Sequence, residues 1–111
     1  MTNQQSHWVP HCVLLYFSND QARTRIPDVY PAHSAYATEF RLERPGELVM
    51  IGPFADSVNG QAGAMSIFTS REAAEAFAAG DPFVSERVAT DVMYRQWLVS
   101  PEPDSRPAAH T

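Results

Sequence analysis

Four short apolar runs and two stretches of helical spacing alternate along this chain, and few folds accommodate their order. Val13-Leu14-Leu15-Tyr16-Phe17 is bounded by Ser18-Asn19-Asp20 and predicts a buried strand. Residues 18–30 are polar and read as a loop. Pro31 suits the first turn of a helix whose Ala32, Tyr36 and Phe40 recur on one face. Pro45-Gly46 stops that helix, and Leu48-Val49-Met50-Ile51 gives a second strand ending at Gly52-Pro53. A hairpin signal at Asn59-Gly60 leads into a third strand, Ala64 to Phe68. Thr69-x-x-Glu72 is a capping box before the alanine-rich stretch Ala73–Ala79, which Gly80 closes. Asp81-Pro82 starts a short turn, and Val92 to Val99 forms the last strand. The order βαββαβ predicts an α+β, ferredoxin-like domain: one antiparallel sheet with two helices on one face. The other face, aromatic and bare, needs a cover, so a homodimer through the sheet face is expected.

Composition narrows the function classes. The chain has 111 residues, enough for one domain with a core of its own. The organisation expected is an N-terminal arm over residues 1–10, the domain over 11–99, and a proline-rich tail over 100–111 without fixed structure. A net charge of −5 supplies no cationic stripe for phosphates, so nucleic acid is not an expected partner. All eight basic residues are arginine, which excludes lysine Schiff-base chemistry and Walker-type phosphate loops. One cysteine, Cys12, excludes an internal disulfide. No long apolar run marks a membrane span or leader, and a cytoplasmic protein is expected.

Chemistry-bearing residues are few. His33 stands in the opening turn of the expected helix, beside its apolar stripe, and its imidazole can exchange a proton near neutral pH. Asp81, before Pro82, is a natural helix cap that could also accept from an imidazole and fix its tautomer. His7 and His11 have helical spacing, but Pro10 interrupts any helix there and no carboxylate completes a site, so no metal is expected. Cys12 fits the core as a small apolar residue. Ser66, Tyr36 and Arg25 are polar groups that could line a pocket or serve local structure. The Gly-x-Gly-x-x-Gly, Gly-x-Ser-x-Gly and Cys-x-x-Cys fingerprints are absent, and no cofactor is expected.

Three short signatures then align: Pro31-Ala32-His33, Gly52-Pro53 and Asp81-Pro82-Phe83. In this order and spacing, with Gly63 to Phe68 and the aromatic strand around Trp97, the chain resembles the YCII-related domain family from about Cys12 to Val99. The resemblance implies a ferredoxin-like fold that dimerises through its sheets, within the dimeric α/β-barrel group that includes muconolactone isomerase. It also implies an active site on a histidine–aspartate pair, here His33 and Asp81. Members with assigned activity act on small ring compounds, including dehydrochlorination of a chlorinated hydroxyhydroquinone.

The function expected is a small cofactor-independent lyase or isomerase acting on a small aromatic, cyclic or lactone-like substrate. His33 would move the proton as base and then acid, and Asp81 would orient it. The alternative is a ligand-binding or regulatory dimer module without turnover, and fold alone does not choose between them. The geometric expectation is a His33 ring nitrogen about 2.6–3.2 Å from an Asp81 oxygen. The pair should open onto a substrate pocket walled by Tyr36, Phe54 and Phe83, with Ser66 and Arg25 as polar contributors.

Overall fold

The computed structural model describes residues 7–101; the expectations for residues 1–6 and 102–111 lie outside them. Strands β1 (Val9–Ser18), β2 (Leu48–Pro53), β3 (Ala62–Phe68) and β4 (Asp91–Val99) form one sheet in the order β2-β3-β1-β4. Every neighbouring pair is antiparallel. This is the ferredoxin-like arrangement that the element order predicts. Val9 and Pro10 already pair with Val99 and Leu98, so β1 starts inside the segment read as an arm.

The helices are α1 (Asp20–Arg23), α2 (Ile26–Glu43), α3 (Arg71–Gly80) and α4 (Pro82–Ser85). The stretch read as a loop over 18–30 is therefore mostly helical. Asn19 caps α1 by accepting from the Ala22 N–H. Helix α2 starts at Ile26, not Pro31, with Pro27 supplying the early proline. Pro31 falls inside the helix, where its missing donor leaves free only the exposed carbonyl end of the turn. The earlier start extends the inward stripe, whose line differs from the one through Ala32. It runs through Ile26, Val29, His33, Ala37 and Phe40, while Ala32 faces out. His33 thus lies on the stripe and in its middle.

Helix α3 is capped one residue later than the capping box predicts. Ser70, with extended backbone, accepts from the Ala73 N–H at 3.1 Å. Thr69 is still tied to the strand side by its N–H to Glu47 O, and Glu72 is drawn away to Arg44 at 2.6 Å. The hairpin between β2 and β3 turns at Asn59 and Gly60, both at positive φ, as a two-residue primed turn requires.

Alternation along the strands divides the sheet into two faces. Cys12, Leu14 and Tyr16 of β1 and Phe68 of β3 face the helices, where Phe40 meets Phe68 edge-on at 6.1 Å and Phe77 meets it tilted at 5.3 Å. The opposite face carries Leu15 between Met65 and Met93, and Val13 between Ile67 and Arg95. No helix covers it.

Candidate active site

Asp81 occupies the junction between α3 and α4 and is fully buried. Its position is set by the backbone: as the cap of α4 it accepts the Phe83 N–H on Oδ1 at 3.0 Å. A carboxylate sealed from water needs its remaining lone pairs occupied. Tyr16 donates its hydroxyl to Oδ2 at 2.8 Å, and His33 Nδ1 sits 2.8 Å from Oδ1 and 3.1 Å from Oδ2. Three donors from β1, α2 and α4 thus converge on one acid.

That convergence fixes the imidazole. An ionised carboxylate accepts only, so Nδ1 carries the proton and donates it to Asp81. Nε2 is then the nitrogen without a hydrogen-bond partner among the described residues, on a ring that lines a cavity. The ring plane is held as well: Phe83 stacks on it at 4.0 Å and Phe77 meets it edge-on at 6.3 Å. The pair is a buried contact with one open end.

The cavity, about 550 Å³, lies between α2 and the inner face of β1–β3. That size suits a ligand of one or two rings. Its wall is mostly apolar, with Ser66, Phe54 and Phe83 among the lining residues, as the sequence pattern suggests. Phe54 is partly exposed at the mouth and stacks near Phe17.

Tyr36 and Arg25 are placed elsewhere. Tyr36 turns into the seam between α2 and α3, where its hydroxyl donates to Phe77 O at 2.9 Å, and it does not line the cavity. The cavity face of α2 carries His33, Ser34, Ala37, Thr38 and Arg41 instead. Arg25 donates to Glu86 O at 2.8 Å and faces its carboxylate at 3.7 Å, fastening α2 to the segment after α4.

Tyr16 and Arg41 are the residues that sequence reasoning missed. Burial, reinforced by the Asp81 charge and hydrogen bond, pushes the Tyr16 phenol far above the ordinary tyrosine range, so it is a fixed donor. Its signal was a hydroxyl in an otherwise apolar strand, which must find a partner when buried. His11 bonds only its neighbour Val9 O, and burial raises the Cys12 thiol. Among the described residues no three side chains of metal-ligating type come together.

Several solved structures share this architecture at low identity. The 5-chloro-2-hydroxyhydroquinone dehydrochlorinase of Burkholderia phenoliruptrix, solved in complex with 2,5-dihydroxybenzoquinone, has a TM-score of 0.58 at 20% identity. That match covers 79% of this chain and 92% of the enzyme. Rv0793 of Mycobacterium tuberculosis gives 0.54 at 15% identity, over 86% of this chain and 99% of that one. The cofactor-independent oxygenase SnoaB of Streptomyces nogalater gives 0.52 at 13%, over 86% and 98%. No curated protein matches the chain in sequence. At these identities the likeness shows the fold, a ferredoxin-like α+β sheet with helices on one face. The family assignment comes from the sequence pattern, which matches residues 9–98, and the chain belongs to the YCII-related domain family.

Proposed function

We propose that this protein is a small cofactor-independent enzyme of lyase or isomerase type, moving a proton on a small aromatic, cyclic or lactone-like substrate. The observation that carries the reading is the 2.8 Å contact from His33 Nδ1 to buried Asp81, which leaves Nε2 without a partner among the described residues on a ring that lines the cavity. Nε2 takes a proton from the substrate and becomes part of an imidazolium. Asp81 balances that charge, and its own orientation is held by Tyr16 and the Phe83 N–H. In an isomerisation the same proton is returned at a second atom. In an elimination the electron pair of the broken C–H bond forms a C=C bond as an anionic group leaves the neighbouring carbon with its bonding pair. The imidazolium then gives its proton to that group or to solvent. A positioned histidine contributes typically about 10²–10⁴ in rate. A mainly apolar cavity of this volume favours a compact ring over an extended chain. The similar dehydrochlorinase, solved with a dihydroxybenzoquinone, supports that substrate class.

The working unit in this reading is a homodimer joined through the uncovered sheet face. Met65 and Phe54 lie where that face meets the cavity mouth, so a partner seated there would narrow the opening.

The test is hydrogen–deuterium exchange at ring C–H positions, followed by NMR in deuterated buffer across a panel of hydroquinones, cyclic ketones and lactones, with 2,5-dihydroxybenzoquinone as a binding probe. Catalysed exchange with at least one compound, lost by about 10²-fold or more in His33→Gln, is expected. Tight binding without exchange across the panel would instead mark a ligand-binding module. Exchange that survives His33→Gln would remove the histidine from the mechanism.

A further inference from the structure

We propose that Arg41 selects the substrate of this cavity, and that the substrate carries an anionic group, a carboxylate in the first instance, at the end remote from His33. The inference rests on the reading of the cavity as the substrate site and adds the charge of what enters it.

Three observations point the same way. The cavity lining contains two basic side chains, His33 and Arg41, and no carboxylate, since Asp81 is sealed behind the imidazole. An apolar chamber whose lining holds one permanent cation, Arg41, and no acid is complementary to a ring that bears negative charge. Second, Arg41 is unmatched. Arg25 faces Glu86, Arg44 holds Glu47 and Glu72, and Arg71 holds Glu75. Arg41 has no hydrogen-bond or ion-pair partner among the described residues. Its helical neighbours at i±3 and i±4 are Thr38, Ala37, Arg44 and Pro45, so α2 offers it a like charge and no acid.

The third observation is placement. His33, Ala37 and Arg41 follow at successive i+4 steps on the cavity face of α2, with Ser34 and Thr38 beside them. Eight residues separate His33 from Arg41, roughly 12 Å along the axis. Side chains in a helix lean toward its N-terminus, so the long Arg41 side chain leans back toward His33. The gap left is about one substituted ring. A guanidinium can grip a carboxylate through two parallel N–H donors, which fixes the ring's direction as well as holding it. That grip would present the far side of the ring to Nε2.

Arg41 also sits in the last turn of α2, where a cation favours the helix dipole. That role would make it a stability residue indifferent to ligands, so the experiment must separate the two. Dissociation constants are measured by NMR titration for matched pairs of ring acids and their carboxamides: benzoate, 2,5-dihydroxybenzoate and cyclohexanecarboxylate. Wild-type protein should prefer the acid of a pair by about tenfold or more, a preference that weakens with added salt. Arg41→Gln should erase the preference and leave carboxamide binding unchanged. Arg41→Lys, which keeps the charge but not the paired donors, should recover part of it. His33→Gln should keep the acid preference while losing proton exchange.

An equal affinity of wild type for acids and amides, or failure of every acid to bind at millimolar concentration, overturns the proposal. So does a preference that persists in Arg41→Gln. If the preference depends on Arg41 yet wild type catalyses no exchange, the catalytic reading fails and the anion site stands.

Discussion

At Asp81 one residue ties four elements together: its backbone N–H ends α3, while its side chain caps α4 and receives β1 and α2 through Tyr16 and His33. Its removal therefore acts on stability before it acts on chemistry. Asp81→Ala should cost roughly 2–4 kcal/mol in urea melts, from the lost cap and the buried donors it orphans. His33→Ala also costs stability, because the imidazole stacks on Phe83 and is nearly buried, so His33→Gln is the better catalytic control. Tyr16 gives a test at alkaline pH. Its phenol is held protonated in the fold and ionises near ~10 in the unfolded chain, so the unfolded state sheds the proton first. Stability therefore falls as pH rises past ~10, at a limiting slope of about 1.4 kcal/mol per pH unit for one such group. Tyr36 and Tyr94, also raised chiefly by burial, add to the fall in both proteins. Tyr16→Phe should flatten the alkaline limb by about one group's slope, and an unchanged limb would show that Tyr16 is not held as a donor. His33 and Asp81 were legible because each stands in a short signature. Tyr16 and Arg41 were not, since a tyrosine in an apolar run and an arginine near a helix end both have ordinary explanations.

Between elements, the packing of α2 against α3 sets where His33 points, and Gly80 controls that seam. As the last residue of α3 it would ordinarily gain about 1 kcal/mol on becoming alanine. Here the added Cβ would lie 2.6 Å from the Tyr36 hydroxyl, which is committed to Phe77 O at 2.9 Å. Gly80→Ala should therefore destabilise, by about 1–2 kcal/mol, with the overpacking cost outweighing the helical gain. In the Tyr36→Phe background the penalty should shrink, a coupling that a double-mutant cycle reads directly. Equal penalties in both backgrounds would place the clash elsewhere. The same seam shows why helix boundaries were harder to read than helix existence. Pro31 looked like a start because proline favours first turns, yet Pro27 already fills that position and Ile26 and Val29 carry the stripe further back. The face turned to the cavity is the one through His33, Ala37 and Arg41, while Tyr36, on the adjoining face, packs on α3. Likewise Thr69 and Glu72 had the spacing of a capping box, but Arg44, distant in sequence, competes for Glu72.

For the whole molecule, element order carried the fold: short runs, sharp turns and two helical stretches leave one economical sheet. It also implied that helices gather on one face, and among the described residues α2 and α3 pack on the side of Leu14 and Tyr16. The consequence is an apolar surface with Leu15 at its middle, flanked by Met65 and Met93, and with Trp97 exposed toward one end. Monomers seldom leave a contiguous patch of that kind in water. Two copies packed face to face would bury it and give an isologous interface. Arg95 pairs with Val13 on this face, so its guanidinium must reach the rim or a partner's acceptor rather than be buried alone. Wild-type protein should therefore run at twice the 12.3 kDa chain mass in size exclusion with light scattering at micromolar concentration. Leu15→Lys puts a charge at the centre of the patch without touching the inner core. It should yield a folded monomer with unchanged far-ultraviolet circular dichroism, because the substitution removes a partner and not a core contact. The cavity mouth, bordered by Phe54 and Met65, should then open, and ligand dissociation in Leu15→Lys should be faster than in wild type. A wild-type monomer would show that the sheet face is covered by something other than a second copy. A Leu15→Lys dimer would place the interface on another surface.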